Sequence, residues 1–196
     1  MATMGVGYEQ LAALLDYPDE STGAKLRACL AESVGQTAEV ARLLEEWAGY
    51  FEATPLWAVQ ELYTRTFDLN PSCSLDVGYY LFGEDFQRGV FLAHLRESQE
   101  AAGMAPEIEL PDHLPVILRW LARIYGTEIC TDMVRECVLP TIRRMDNALA
   151  PARDAHGNVE GGANPYREVL QAVALVLQSD LAEMAEPADV CAAGGR

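Results

Sequence analysis

Apolar residues recur at helical spacing along most of the chain. Val40, Leu43, Leu44, Trp47 and Phe51 fall at i, i+3, i+4, i+7 and i+11, which places them in one stripe on a single helix. A second helix is predicted to open with Thr54 as its cap and Pro55 in its first turn, to carry Leu56, Val59, Tyr63 and Phe67 on one face, and to run to about Asp68. Asn70-Pro71 ends it, because the residue before a proline is pushed out of the helical region. Ser72 or Ser74 can cap the next short segment, Leu75 to Phe82, and Gly83 suits the left-handed position that closes a helix.

A further helix is predicted from Asp85 to Ala102, presenting Phe86, Val90, Phe91, His94 and Leu95. Gly103, Pro106 and Pro111 then mark a loop, a candidate hinge. Beyond it, helical spacing resumes at Leu114, Ile117, Leu118, Leu121 and Tyr125. It returns at Met133, Val134, Cys137, Val138, Ile142 and Met145, where Pro140 is expected to kink the helix. Residues 151–165 are rich in Gly, Asn, Ala and Pro and are expected to form a long mobile loop. Tyr166, Val169, Leu170, Val173, Val176, Leu177, Leu181 and Met184 define the last helix. No stretch alternates as a strand does and no internal repeat is present. The pattern predicts an all-α fold, a single-domain helical bundle over residues 8–186, with residues 1–7 flexible and 187–196 disordered.

Charge narrows the choice of partners. Thirty Asp and Glu against 14 Lys and Arg leave a formal net charge of −16, and the first 110 residues alone hold 18 acids and 6 bases. Such a field repels phosphate backbones and anionic lipid and draws cationic partners. Arg143-Arg144 is the only adjacent basic pair, too little for a recognition helix, so nucleic acid is excluded as a partner. The first residues lack the pattern of a signal peptide, and no apolar run is long enough to span a bilayer. A cytoplasmic protein without direct membrane insertion is expected.

Candidate chemistry is sparse. Cys29, Cys73, Cys130, Cys137 and Cys191 are dispersed with no C-x-x-C pair, which fits buried free thiols; Cys130 and Cys137, seven apart, share a helix face. His94 has no second histidine at the spacing a helical zinc site needs and is expected to be a partly buried structural residue, while His113 and His156 stand apart. Glycine-rich phosphate loops and the nucleophile elbow are missing. Glu45-Glu46 and Glu84-Asp85 read as solvated pairs or as groups facing helix N-termini. The expectation is a non-enzyme with no catalytic residue, no metal and no cofactor of its own.

Three segments carry a resemblance. From Leu62 to Gly89 the chain reads Leu-Tyr-Thr-Arg-Thr-Phe-Asp-Leu-Asn-Pro-Ser-Cys-Ser-Leu-Asp-Val-Gly-Tyr-Tyr-Leu-Phe-Gly-Glu-Asp-Phe-Gln-Arg-Gly. Glu109 to Pro115 reads Glu-Leu-Pro-Asp-His-Leu-Pro, and Leu14 to Pro18 reads Leu-Leu-Asp-Tyr-Pro. In order and spacing these resemble the nitrate reductase delta-subunit family of molybdenum-enzyme assembly chaperones. The resemblance implies the all-helical fold of redox-enzyme maturation chaperones. It also implies a factor that binds the apo catalytic subunit, often by its N-terminal segment, and holds it open for insertion of the molybdopterin cofactor and iron–sulfur clusters that the client carries. Asp76-Val77-Gly78 departs from the bulkier or hydroxylated residues expected there, and after Gly83 the segment holds Arg88 as its one base. What the resemblance implies as client is a nitrate reductase or a related enzyme, such as a chlorate or perchlorate reductase or a hydrocarbon or dimethyl sulfide dehydrogenase. A permanent non-catalytic subunit is the alternative role.

A basic amphipathic client peptide would gain apolar burial in a helix-lined groove and steering from the acidic half of the chain. The partner-binding candidates are Tyr63, Phe67, Tyr79 and Tyr80, with Phe82 beside them, and Glu61, Asp68 and Asp85 for charge. Asn70 and, from the second motif, Pro111, Asp112, His113 and Pro115 complete the set. The competing reading of each aromatic is core packing, and that of Asp112 is a cap on the helix that begins near His113.

Overall fold

The computed structural model describes residues 6–32, 37–153, 159–160 and 163–185. Residues 1–5, 154–158 with His156, and the expected tail at 187–196 lie outside them. The described chain is built from ten helices. They are α1 (Val6–Leu14), α2 (Thr22–Glu32), α3 (Ala38–Ala53), α4 (Leu56–Tyr63), α5 (Val77–Phe82), α6 (Phe86–Ala101), α7 (Leu114–Arg123), α8 (Glu128–Asp132), α9 (Leu139–Leu149) and α10 (Tyr166–Ala185). α1 begins inside the stretch expected to be flexible. In the region read as a long loop, β1 (Ala152–Arg153) and β2 (Val159–Glu160) form one antiparallel ladder, too short to alter the all-α class.

One core joins the helices. α1 packs along α7 and α2, while α10 packs along α3 and α9. The stripe read on α3 is buried at Val40, Leu43, Leu44 and Trp47. Trp47 stacks on Phe51, with ring centroids 5.5 Å apart, and meets Tyr166 at 5.9 Å. Tyr63 and Phe67 complete the cluster around Tyr166 at 5.8 and 5.0 Å. Removing each such side chain from water contributes about 1.5–3 kcal/mol, so this ring cluster anchors α4 and α10 to α3.

Three local expectations change. Thr54 does not cap α4; it lies in extended conformation at the end of α3, and Pro55 takes the cap position with no side-chain hydrogen bond. With two residues between the helices, Thr54 is held extended by the proline that follows it. Second, the chain does run on to Asp68, but residues Thr64–Asp68 form a π-helical turn. Thr66 in that turn is buried and accepts a hydrogen bond from Asn164 Nδ2 at 2.8 Å, fixing the turn to the start of α10. Third, Pro140 lies at the start of α9, directly after a second π-helical turn, Met133–Val138. The Leu139 N–H donates to Val134 O, five residues back. The wider turn accommodates a proline that has no N–H and would crowd an α-helical carbonyl.

Candidate functional site

The Leu62–Gly89 segment and the Pro-Asp-His-Leu-Pro loop meet. Neither Ser72 nor Ser74 caps α5 directly: Asn70 accepts from the Ser72 N–H at 3.1 Å to cap a 3-10 turn at Pro71–Cys73, and Ser74 Oγ accepts from the Asp76 N–H at 3.2 Å. The extended stretch that follows pairs with the second motif. The Val77 N–H donates to Asp112 O at 2.9 Å and the Leu114 N–H to Leu75 O at 2.8 Å, an antiparallel bridge between Asp76 and His113.

Asp112 does not cap α7. Position 113 takes the cap, without a side-chain bond, and the Asp112 side chain turns inward to complete burial. Its Oδ2 accepts from the Gly78 N–H at 3.2 Å and from Arg88 Nε at 3.0 Å. Arg88 reaches a second carboxylate, Asp76, at 3.1 Å, and His113 Nδ1 lies 3.4 Å from the other oxygen of Asp76. Among the described residues Asp112 Oδ1 has no side-chain hydrogen-bond partner. Burial pushes the Asp112 carboxyl above its ordinary range, and Arg88 offsets part of that shift. Asp76 is held below its ordinary range by its bond to His113, with Arg88 adding to the effect.

Gly78 explains itself in this setting. A Cβ there would meet Asp112 Oδ2 at 2.6 Å and the Phe91 ring at 3.1 Å. The departure read at Asp76-Val77-Gly78 is thus a steric requirement, with glycine letting α5 approach a buried carboxylate. Arg88 is the residue that sequence reasoning missed. It stood out as the lone base after Gly83, but nothing local linked it to an acid 24 residues away.

The remaining candidates separate into inward and outward sets. Tyr63 and Phe67 are buried in the ring cluster around Tyr166, and the Tyr63 hydroxyl donates to Leu15 O at 3.1 Å; both belong to the core and neither is open to a partner. Pro111 and Pro115 are buried too, and Pro111 O accepts from Gln99 Nε2 at 2.9 Å. Tyr79 and Tyr80 are half-buried with their rings 6.2 Å apart, and Arg144 donates to Tyr80 O at 2.6 Å. Glu61, Asp68 and Asp85 are exposed, and Asp85 also caps α6 through the Gln87 N–H at 2.8 Å. His94, expected to be partly buried, is exposed. Among the exposed large apolar residues, Phe86 at 84% and Val90 at 40% sit four apart on α6, beside exposed Glu84 and Asp85. The sequence groups both with Phe91 and Leu95 along this helix, and the spacing of apolar residues does not say which of them is covered.

Elsewhere chemistry is quiet. Burial pushes the Cys73 thiol up to about 12 and that of Cys130 up to about 11, so both are protonated at neutral pH and poor nucleophiles. Among the described residues, no group of three His, Cys, Asp or Glu side chains is placed to hold a metal ion, and no helix is long and apolar enough to cross a membrane. A cavity of about 470 Å³ between α3, α9 and α10 is lined by Leu43, Ile142, Arg143, Asp146 and Leu175 and contains none of the candidate residues.

The helical architecture defines the class. A crystal structure of a redox enzyme maturation protein from Archaeoglobus fulgidus superposes with a TM-score of 0.62 over 91% of this chain and 96% of that one, at 21% identity, a likeness of fold. The nitrate reductase delta subunit family model matches residues 35–151, and the chain belongs to that family. A Bacillus subtilis (strain 168) protein named as a nitrate reductase molybdenum cofactor assembly chaperone, NarJ, is 33% identical over 123 residues, covering 60% of this chain and 65% of that protein. The match therefore spans slightly less than two thirds of that relative.

Proposed function

We propose that this protein is a non-catalytic, cytoplasmic assembly chaperone that binds the apo catalytic subunit of a nitrate reductase or related molybdenum oxidoreductase, through the client's basic amphipathic N-terminal segment, and releases it after cofactor insertion. Membership of the delta-subunit family supports the class of activity. The observation that carries the contact is the exposed Phe86–Val90 pair on α6, bordered by Glu84 and Asp85 in a chain of net charge −16. Apolar side chains left in water beside carboxylates fit a segment that is apolar on one face and cationic on the other.

The contact surface is accordingly α5 and α6. Tyr79, Tyr80, Phe86 and Val90 supply apolar area, while Asp85 supplies charge at the surface itself. Glu61 and Asp68, both exposed, add to the attractive field. Asn70, Pro111, Asp112, His113 and Pro115 shape this surface from behind. The molybdopterin cofactor and iron–sulfur clusters belong to the client. Isothermal titration of a peptide copying the first residues of a nitrate reductase catalytic subunit tests the contact. Binding that weakens in Phe86→Ser and Val90→Ser supports it, and binding unchanged in both moves the surface elsewhere, the α3–α9–α10 cavity being the next place to look.

A further inference from the structure

α6 is docked on the bundle more lightly than its neighbours. Of its 16 residues only Leu95 and Gln99 are buried, whereas seven of the ten residues of α7 are. Each end of α6 meets a glycine in left-handed conformation, Gly83 at φ 64° and Gly103 at φ 73°. Such residues absorb large changes of backbone direction at little cost. Two polar ties hold the helix to the Pro-Asp-His-Leu-Pro loop. One is Arg88, bridging Asp112 and Asp76; the other is Gln99, donating to Pro111 O. Phe91 supplies apolar contact between them, its ring 5.4 Å from that of Phe82.

From these features we infer that α6 is a latched flap, hinged at Gly83 and Gly103, with Arg88 on Asp112 and Asp76 as its latch. The latch suits opening because water reaches it from one side: Asp112 is fully buried, but the Arg88 and Asp76 side chains keep 18% and 29% of their exposure. An ion pair that water reaches is weaker than an enclosed one. Release frees the inner face of α6, with Phe91 and Leu95, to join the outer pair Phe86 and Val90. It also bares two carboxylates at the seat Arg88 leaves. A helix with both faces free beside unpaired acids is suited to folding over a cationic, amphipathic segment, so the latch regulates access to the client surface. That regulatory role rests on the proposed function; the flap itself does not.

Hydrogen exchange on the full chain without any client separates the two. A 16-residue helix detached from its bundle is marginal in water, so opening registers as exchange of its own amides. Amides of residues 86–101 should exchange faster than those of α7 and α10 in the wild type. Arg88→Ala and Asp112→Asn should raise α6 exchange by at least about tenfold, with α6 still exchanging faster than α7 and α10, and Arg88→Lys should fall between. Wild-type α6 exchanging as slowly as α7 and α10 would overturn the flap, and this comparison needs no variant to fold. Faster wild-type exchange that neither substitution changes would overturn the latch.

Discussion

The Gly78 N–H points at the Asp112 carboxylate, 3.2 Å from Oδ2, across 34 residues of sequence. That bond is one of several that join two of the segments through which the chain resembles its family, and it exists because position 78 has no side chain. Gly78→Ala places a methyl group 2.6 Å from the same oxygen, which Arg88 holds from its other side. Overpacking of this kind costs about 1–3 kcal/mol, so the urea midpoint of Gly78→Ala should fall with its slope unchanged. A midpoint equal to wild type would mean that the loop yields without cost.

Arg88 neutralises a fully buried carboxylate. Arg88→Ala leaves Asp112 without its cation, and the loss should be about 2–4 kcal/mol, below the upper end for a buried pair because the Arg88 side chain keeps 18% of its exposure. Asp112→Asn should cost less, and the double variant should cost less than the sum of the two. Denaturant unfolding in a double-mutant cycle measures the coupling, and strict additivity would contradict a direct pair. Arg88→Lys should restore part of the loss, since an ammonium bridges two carboxylates less well than a guanidinium.

Asp76 and Asp112 share Arg88 yet titrate in opposite directions from the ordinary value of 3.8. The folded state favours ionised Asp76, which therefore contributes stability above pH 3.8 that is lost as pH falls through its lower folded value. Asp112 binds its proton more tightly when folded, so its ionised form costs stability above its raised folded value. That cost fades as pH falls toward 3.8. Carboxyl carbon resonances followed through an acid titration should show Asp112 protonating before Asp76. The reverse order would contradict the burial assigned to Asp112.

Much of the fold is legible from spacing alone, because α3, α6, α7 and α10 each carry an apolar stripe at helical intervals. α1 is harder to read: Tyr8, Leu11, Ala12 and Leu14 are all buried, and a helix covered on most sides shows weak contrast between faces. The π-helical turns have no periodic signal of their own. At the site, the residue types of both motifs are visible in sequence, but their partners are not. Spacing cannot tell that Tyr63 and Phe67 face Tyr166 in the core while Phe86 faces water, nor that Asp112 turns away from the helix start it appears placed to cap. Arg88 and Asp112 pair only through tertiary structure.

The outward residues should affect binding and not folding. Phe86→Ser and Val90→Ser should change unfolding free energy by no more than about 0.5 kcal/mol, while each weakens client-peptide binding by about 1–2 kcal/mol. Tyr79→Ala should cost more affinity than Glu61→Ala, because apolar burial supplies affinity where exposed charge mainly steers encounter. Added salt should then slow association and leave dissociation nearly unchanged. Titration calorimetry and stopped-flow binding check both points, and a Glu61→Ala loss exceeding that of Tyr79→Ala would reverse the assignment.

Transient engagement with an immature enzyme is best tested by isolating this protein from cells expressing its client, with and without molybdenum cofactor synthesis, and measuring the stoichiometry of what accompanies it. The expected result is a complex with the cofactor-free catalytic subunit when synthesis is blocked, and no copy of this chain in the active, cofactor-loaded enzyme. Recovery of the chain in stoichiometric amount with the mature enzyme would make it a permanent subunit, and absence of any complex with the apo subunit would contradict the chaperone role.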